Sequence, residues 1–202
     1  MRKLNIFLAS VAILALGWIG HSLAAEAHLG LNIGEKAPDF MLENYDGTKV
    51  SLHDYAGKIV ILEWTNPDCP IFQRVYKAKI MQGVYNDYKD RGIVWLGVNS
   101  TNYMKNDDNK KWATAQGVSW DILNDAPGTV GHAYGATNTP HMFIIGKDGN
   151  LVYKGAIDND PDGDRKDGKI NYVRQALDEV LASKPVSVPE TKAYGCSVKY
   201  KD

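Results

Sequence analysis

Residues 58–74, KIVILEWTNPDCPIFQR, decide the fold. The run from Lys58 to Trp64 is continuous, apolar and rich in β-branched residues, and Gly57 and Pro67 bound it, which reads as a buried strand. Beyond it, Phe72, Val75, Tyr76, Ile80 and Val84 recur at helical spacing. A helix is therefore predicted from Pro70, where proline in the first turn costs nothing. Cys69 falls at the junction of strand and helix. A thiol at a helix amino end feels the partial positive charge of unpaired backbone N–H groups, which favours the thiolate. Arg74 adds a favourable charge one turn on, and Asp68 opposes it; the net shift expected is downward. The alternative is an inert, buried cysteine.

Working outward, Ile93 to Val98 repeats the buried-strand signature and Lys105 to Gln116 reads as a polar surface helix. A strand at Val50 to Leu52 follows the turn signal Asp46-Gly47. Further elements are a short segment at Trp120 to Leu123, a helix near Gly128 to Tyr134, and the strands His141 to Ile145 and Leu151 to Tyr153, joined by the hairpin signal Lys147-Asp148-Gly149-Asn150. Val173, Ala176, Leu177, Val180 and Leu181 form a last amphipathic stripe that Pro185 and Pro189 stop. Alternating strand and helix followed by an antiparallel hairpin predicts an α/β domain, a central mixed β-sheet flanked by helices on both faces. Ligands of such sheets gather at the carboxyl ends of the strands, where Cys69 lies. The domain spans residues 31–184, and residues 185–202 form an extended tail carrying Cys196.

With 202 residues, 44% of them hydrophobic, the chain can bury the core of one domain. A net charge of −1 and 10% aromatic content argue against a nucleic-acid binder and a disordered chain. Arg2 and Lys3 precede an apolar run from Ile6 to Ile19, then small residues at Ser22, Ala24, Ala25 and Ala27. This reads as a signal peptide over residues 1–25 and implies export to a periplasmic or extracellular space. A retained membrane anchor is the alternative, although the run is shorter than the roughly 20 residues a span requires. In an oxidising compartment, Cys69 and Cys196 form either a structural bridge or a redox couple.

KIVILEWTNPDCP with its following helix, Asn138-Thr139-Pro140-His141 opening a strand, and the KDGNLVYKG hairpin together resemble the thioredoxin-like superfamily. The likeness is nearest to the alkyl hydroperoxide reductase/thiol-specific antioxidant (redoxin) family, whose domains open much as Gly34 to Phe40 do here. The resemblance implies a thioredoxin-like fold and an oxidoreductase in which Cys69 is the attacking cysteine. It implies a cis Pro140 beside that cysteine, with the backbone of Thr139 free to pair with an extended chain. Glu63 matches the buried acid of thioredoxins; buried, it would have a raised pKa and could move a proton, while the other strand face would turn it to solvent. Cys69, Cys196, Glu63 and Arg74 are thus the candidate catalytic residues, and Thr139, Pro140, Pro67 and Trp64 the candidate substrate-binding ones.

Departures from the family pattern matter as much. Thioredoxins carry a second cysteine where Phe72 stands. Peroxiredoxins carry proline and threonine where Leu62 and Asn66 stand, so peroxide chemistry lacks its usual helpers. Cys196 is expected to resolve Cys69, with a permanent bridge or an intermolecular disulfide as alternatives; loop closure grows too slowly with length to forbid the pairing. The expected partners are an external thiol reductant or a disulfide-bearing protein, with peroxide a further substrate and no nucleic acid. No cofactor or metal is expected. If Cys69 is permanently bridged, the chain is instead a non-catalytic binding module. Asp158, Asp160, Asp162 and Gly163 match half a calcium loop, but Lys169 stands where its glutamate belongs, so a solvated acidic loop is expected. His141 is read as an ordinary strand residue, a metal role with Cys196 being the weaker alternative.

Overall fold

A computed structural model describes residues 30–201; the expected signal peptide lies outside them. The chain forms strands β1 (Met41–Asn44) and β2 (Lys49–Ser51), a 3₁₀ turn (Leu52–Tyr55), β3 (Ile59–Trp64), helices α1 (Pro70–Lys77) and α2 (Ile80–Tyr88), and β4 (Ile93–Asn99). Next come α3 (Asn106–Gln116), β5 (Asp121–Asn124), α4 (Thr129–Tyr134), β6 (Asn138–Thr139), β7 (His141–Ile145), β8 (Leu151–Gly155), α5 (Tyr172–Leu181) and β9 (Cys196–Ser197). Seven strands make one mixed sheet in the order β2-β1-β5-β4-β3-β7-β8, and β6 and β9 pair separately.

Every residue of the central β3 is buried because both faces are covered. Ile59 and Ile61 pack with α1, α2 and α5 on one face, while Val60, Leu62 and Trp64 pack with α4 on the other. The mixed sheet with helices on both faces is the architecture expected. The single helix expected from Pro70 is instead two, broken at Lys79, whose φ of 57° is left-handed. No glycine or proline marks the break, and the apolar spacing runs on across it into Met81 and Val84, which face the same core.

Strand register positions the site. β3 runs parallel to β4 and antiparallel to β7, with Trp64 opposite His141. The residues just before β7 therefore lie beside the exit of β3, which brings Thr139-Pro140 to the turn that carries Cys69. The Thr139–Pro140 peptide is cis, as the resemblance implied.

The loop after β8 is solvated from residue 161 to 170, as expected, but two of its carboxylates are not. Asp158 and Asp160 are buried. Asp160 accepts from the backbone N–H groups of Gly163 and Arg165 at 2.9 and 3.0 Å, and Lys169 pairs with its other oxygen at 2.6 Å. That lysine pulls the Asp160 carboxyl down to about 2, with the backbone donors helping. The ammonium group at the twelfth position supplies the positive charge inside the loop.

The tail is docked along its length. Lys154 of β8 donates its backbone N–H to Pro189 (3.0 Å) and accepts from Thr191 (3.1 Å), and the Thr191 hydroxyl takes the Ala156 N–H at 2.9 Å. β9 then crosses the site, and the Tyr200 hydroxyl donates to the Ala136 carbonyl at 2.7 Å with its ring stacked on His132. Gly155 has φ +141°, and a Cβ there would be driven into the Thr191 hydroxyl and carbonyl. Gly155→Ala is accordingly expected to cost about 2 kcal/mol. A thermal melt with amide exchange at Val198 checks this; an unchanged melt and undiminished protection would refute the role of Gly155 in docking the tail.

Candidate active site

Cys69 is the N-cap of α1. Its backbone is extended, its sulfur accepts from the Phe72 N–H at 3.5 Å, and Pro70 follows in the first turn. Asn66 shapes the approach, its carbonyl accepting the Cys69 N–H at 3.0 Å and its side chain accepting from Asp68 N at 2.8 Å. Cys69 is 1% exposed and is bonded through sulfur to Cys196, their Cα atoms 5.9 Å apart. The Thr139 carbonyl lies 3.2 Å from the Cys69 sulfur. In the disulfide that sulfur has no proton to donate. Once reduced, the Phe72 N–H favours the thiolate, while the Thr139 carbonyl favours the thiol.

Glu63 takes the buried alternative. It is fully enclosed, hydrogen-bonded by the Tyr76 hydroxyl at 2.9 and 3.0 Å and by the Trp95 indole N–H at 2.8 Å. Burial pushes its carboxyl up to about 7, against the two donors that favour its charge. Tyr76, also buried, is held well above the usual phenol range by burial and by Glu63. Because Tyr76 lies two turns along α1 from Cys69, the acid is tied to the helix that carries the sulfur. The sequence marked Glu63 but assigned no chemistry to Tyr76, one of the helix's spaced apolar positions, or to Trp95, a core or groove aromatic.

The other candidates separate. Arg74 donates to the Pro161 carbonyl at 2.6 Å, and its guanidinium lies against Gly163, so it braces the acidic loop. Trp64 corrects the groove expectation: it is fully buried on the opposite sheet face, donating to Ser100 at 3.1 Å and packed on Tyr134 and Phe143. Pro67 is half-buried before Cys69, with its carbonyl held by Gln73 at 2.7 Å. His141 is buried on β7; its Nδ1 accepts from Thr137 N at 3.3 Å, and burial, with Lys154 nearby, lowers it to about 4. It is a neutral imidazole tilted on Phe143.

The tail adds Tyr194 and Ser197, which the sequence did not single out, to Thr139 and Cys196, which it did. Thr139 pairs with Cys196 and Asn138 with Ser197, antiparallel. The Tyr194 hydroxyl donates to Asp158 at 2.7 Å, two residues before Cys196. The sequence signal for this segment was Cys196 itself.

With this geometry in view, residues 33–154 match the AhpC/TSA family. The chain belongs to the AhpC/TSA family. It is similar to the thiol-disulfide oxidoreductase ResA of Geobacillus thermodenitrificans, 29% identical over 70% of this chain and 80% of the relative. It is similar also to ResA of Bacillus subtilis, 26% identical over 75% and 84%. Among solved structures, an uncharacterized conserved protein from Geobacillus kaustophilus superposes with a TM-score of 0.74 at 29% identity, covering 85% of this chain and 93% of that one. This AhpC/TSA chain is an oxidoreductase of thioredoxin-like fold, as expected. Among the described residues, no helix is long and apolar enough to cross a membrane.

Proposed function

We propose that the protein is an exported thiol-disulfide oxidoreductase that reduces disulfides of other proteins and is itself reset by an external thiol. The observation that carries this reading is the bond between the chain's two cysteines, with Cys69 capping a helix and Cys196 held on the edge strand that an extended chain would use. In the reduced form, the Cys69 thiolate attacks one sulfur of a substrate disulfide and the other sulfur leaves as a thiolate. Cys196, deprotonated, then attacks the Cys69 sulfur of the mixed disulfide and releases the second substrate thiol. Two electrons pass to the substrate, and the Cys69–Cys196 disulfide remains. An external dithiol returns them. Cys196 is the more exposed of the pair and so the natural point of reductive attack, with Cys69 as the helix-stabilised leaving thiolate.

Disulfides fit better than peroxide. Leu62 is buried in the core on the face away from Cys69, the Asn66 side-chain oxygen is held in the turn by the Asp68 N–H, and the Thr65 hydroxyl is bound to the Val98 carbonyl at 3.4 Å. Neither Leu62 nor Thr65 offers a free donor to polarise a peroxide, and Asn66 is an amide where the family pattern has a hydroxyl. The domain of residues 31–184 carries the nucleophile, and the tail carries the resolving thiol. Redox titration of the Cys69/Cys196 couple tests the proposal, with protein-disulfide and peroxide turnover measured beside it. The expected result is a couple that dithiols reduce in the folded protein, with turnover on disulfides. A bond that resists reduction until the chain unfolds would leave only a structural bridge.

A further inference from the structure

The segment Tyr194–Val198 occupies the site in the manner of a bound peptide. Val198 donates its N–H to the Thr137 carbonyl at 3.0 Å, the Asn138 side-chain amide donates to the Gly195 carbonyl at 3.1 Å, and the Thr139 hydroxyl approaches the Cys196 carbonyl at 3.5 Å. All three contacts go to backbone, so they admit any extended chain. Three positions are nonetheless read by side chain. Gly195 has φ +113°, and a Cβ there would meet the Thr139 carbonyl and lie 3.3 Å from the Pro140 ring. The Tyr194 hydroxyl reaches the buried Asp158, and Val198 is buried in the core cluster of α4.

We propose, resting on the reading above, that the tail is an internal likeness of the substrate and that the groove along Thr137–Thr139 selects one class of segment. That class is an extended, disulfide-bearing segment with glycine directly before the reacting cysteine, a hydroxylated aromatic two residues before it, and an aliphatic residue two after it. Substrate and tail use the same donors and acceptors and exclude each other. The Cys69–Cys196 bond must be reduced and the tail lifted before the substrate strand pairs with Thr139. After Cys69 has bonded to the substrate cysteine and its partner thiolate has left, the returning tail displaces the substrate strand as Cys196 attacks the Cys69 sulfur. Resolution and product release are then one event.

The test uses reduced full-length protein carrying Cys196→Ser, which stops at the mixed disulfide. The probes are synthetic pentapeptides with the sequence of residues 194–198, or with alanine in place of the glycine, each bearing its cysteine as a disulfide to thionitrobenzoate. Cysteine linked to the same reagent serves as the reference. The glycine peptide is expected to release thionitrobenzoate about tenfold faster than the alanine peptide. The double variant Gly195→Ala/Cys196→Ser, whose tail fits its groove poorly, is expected to react faster still with the glycine peptide. Equal rates for the two peptides, or a double variant no faster than the single one, would overturn the selection while leaving the oxidoreductase reading intact. Failure to react with the peptides and the reference alike would overturn both.

Discussion

Replacing Cys69 by alanine is expected to abolish disulfide turnover and to lower the melting temperature of the oxidised protein by about 10–20 °C. The thermal part follows from chain entropy. The bridge joins residues 127 apart, so cutting it frees a large loop in the unfolded chain, worth about 5 kcal/mol before any relaxation. For a domain of this size each kcal/mol moves the midpoint by about 2–4 °C. Cys196→Ala loses the same bridge and is expected to melt with Cys69→Ala. It keeps the nucleophile, however, and should accumulate a mixed disulfide with substrate where Cys69→Ala forms none. Calorimetry and mass spectrometry of the trapped adduct read the two effects separately. Turnover persisting in Cys69→Ala would end the proposal that this sulfur attacks.

The second large effect belongs to Glu63. Its folded pKa, about 7, lies above the ordinary carboxyl value of 4.5, so the folded chain holds this proton more tightly than the unfolded one. That contribution is complete below about pH 4.5 and is lost as pH rises through about 7, amounting to roughly 3 kcal/mol. Denaturant titrations from pH 5 to 8 should therefore show stability falling with pH through that window. Glu63→Gln, which cannot ionise, should flatten the slope. If Glu63 also moves the proton that the cysteines exchange, the same variant should slow resolution of the mixed disulfide roughly a hundredfold. A slope that survives Glu63→Gln would assign the pH dependence to another group; unchanged resolution would leave Glu63 a structural acid.

How much of this was legible in the sequence depended on which signals the chain emits. The β3 run, Pro70 after Cys69 and the KDGN hairpin each carry a local cause, and each element stands where those causes put it. β3 itself could not say which way Glu63 and Trp64 face. A strand covered on both sides has no alternation to read, and Glu63 went to the α1 face with Tyr76 and Trp95 while Trp64 went to the far core. The break at Lys79 emits no local signal: the residue is neither glycine nor proline, and its backbone turns left-handed without a side-chain cap. The tail was hardest: its contacts run through backbone groups, single hydroxyls and the bare faces of Gly155 and Gly195, none of which repeats at a period. Only the second cysteine hinted that residues 185–202 return to the site.

That tail is moored on both sides of the cysteine it carries, by Thr191 on Ala156 and by Tyr200 on Ala136. When the sulfur bond opens, the stretch between the moorings can bow outward without drifting off, because closing so short a span costs little entropy. The second thiol then stays at a high effective concentration over the first, and the lifetime of any captured intermediate is set within the molecule, independent of how much protein the compartment holds.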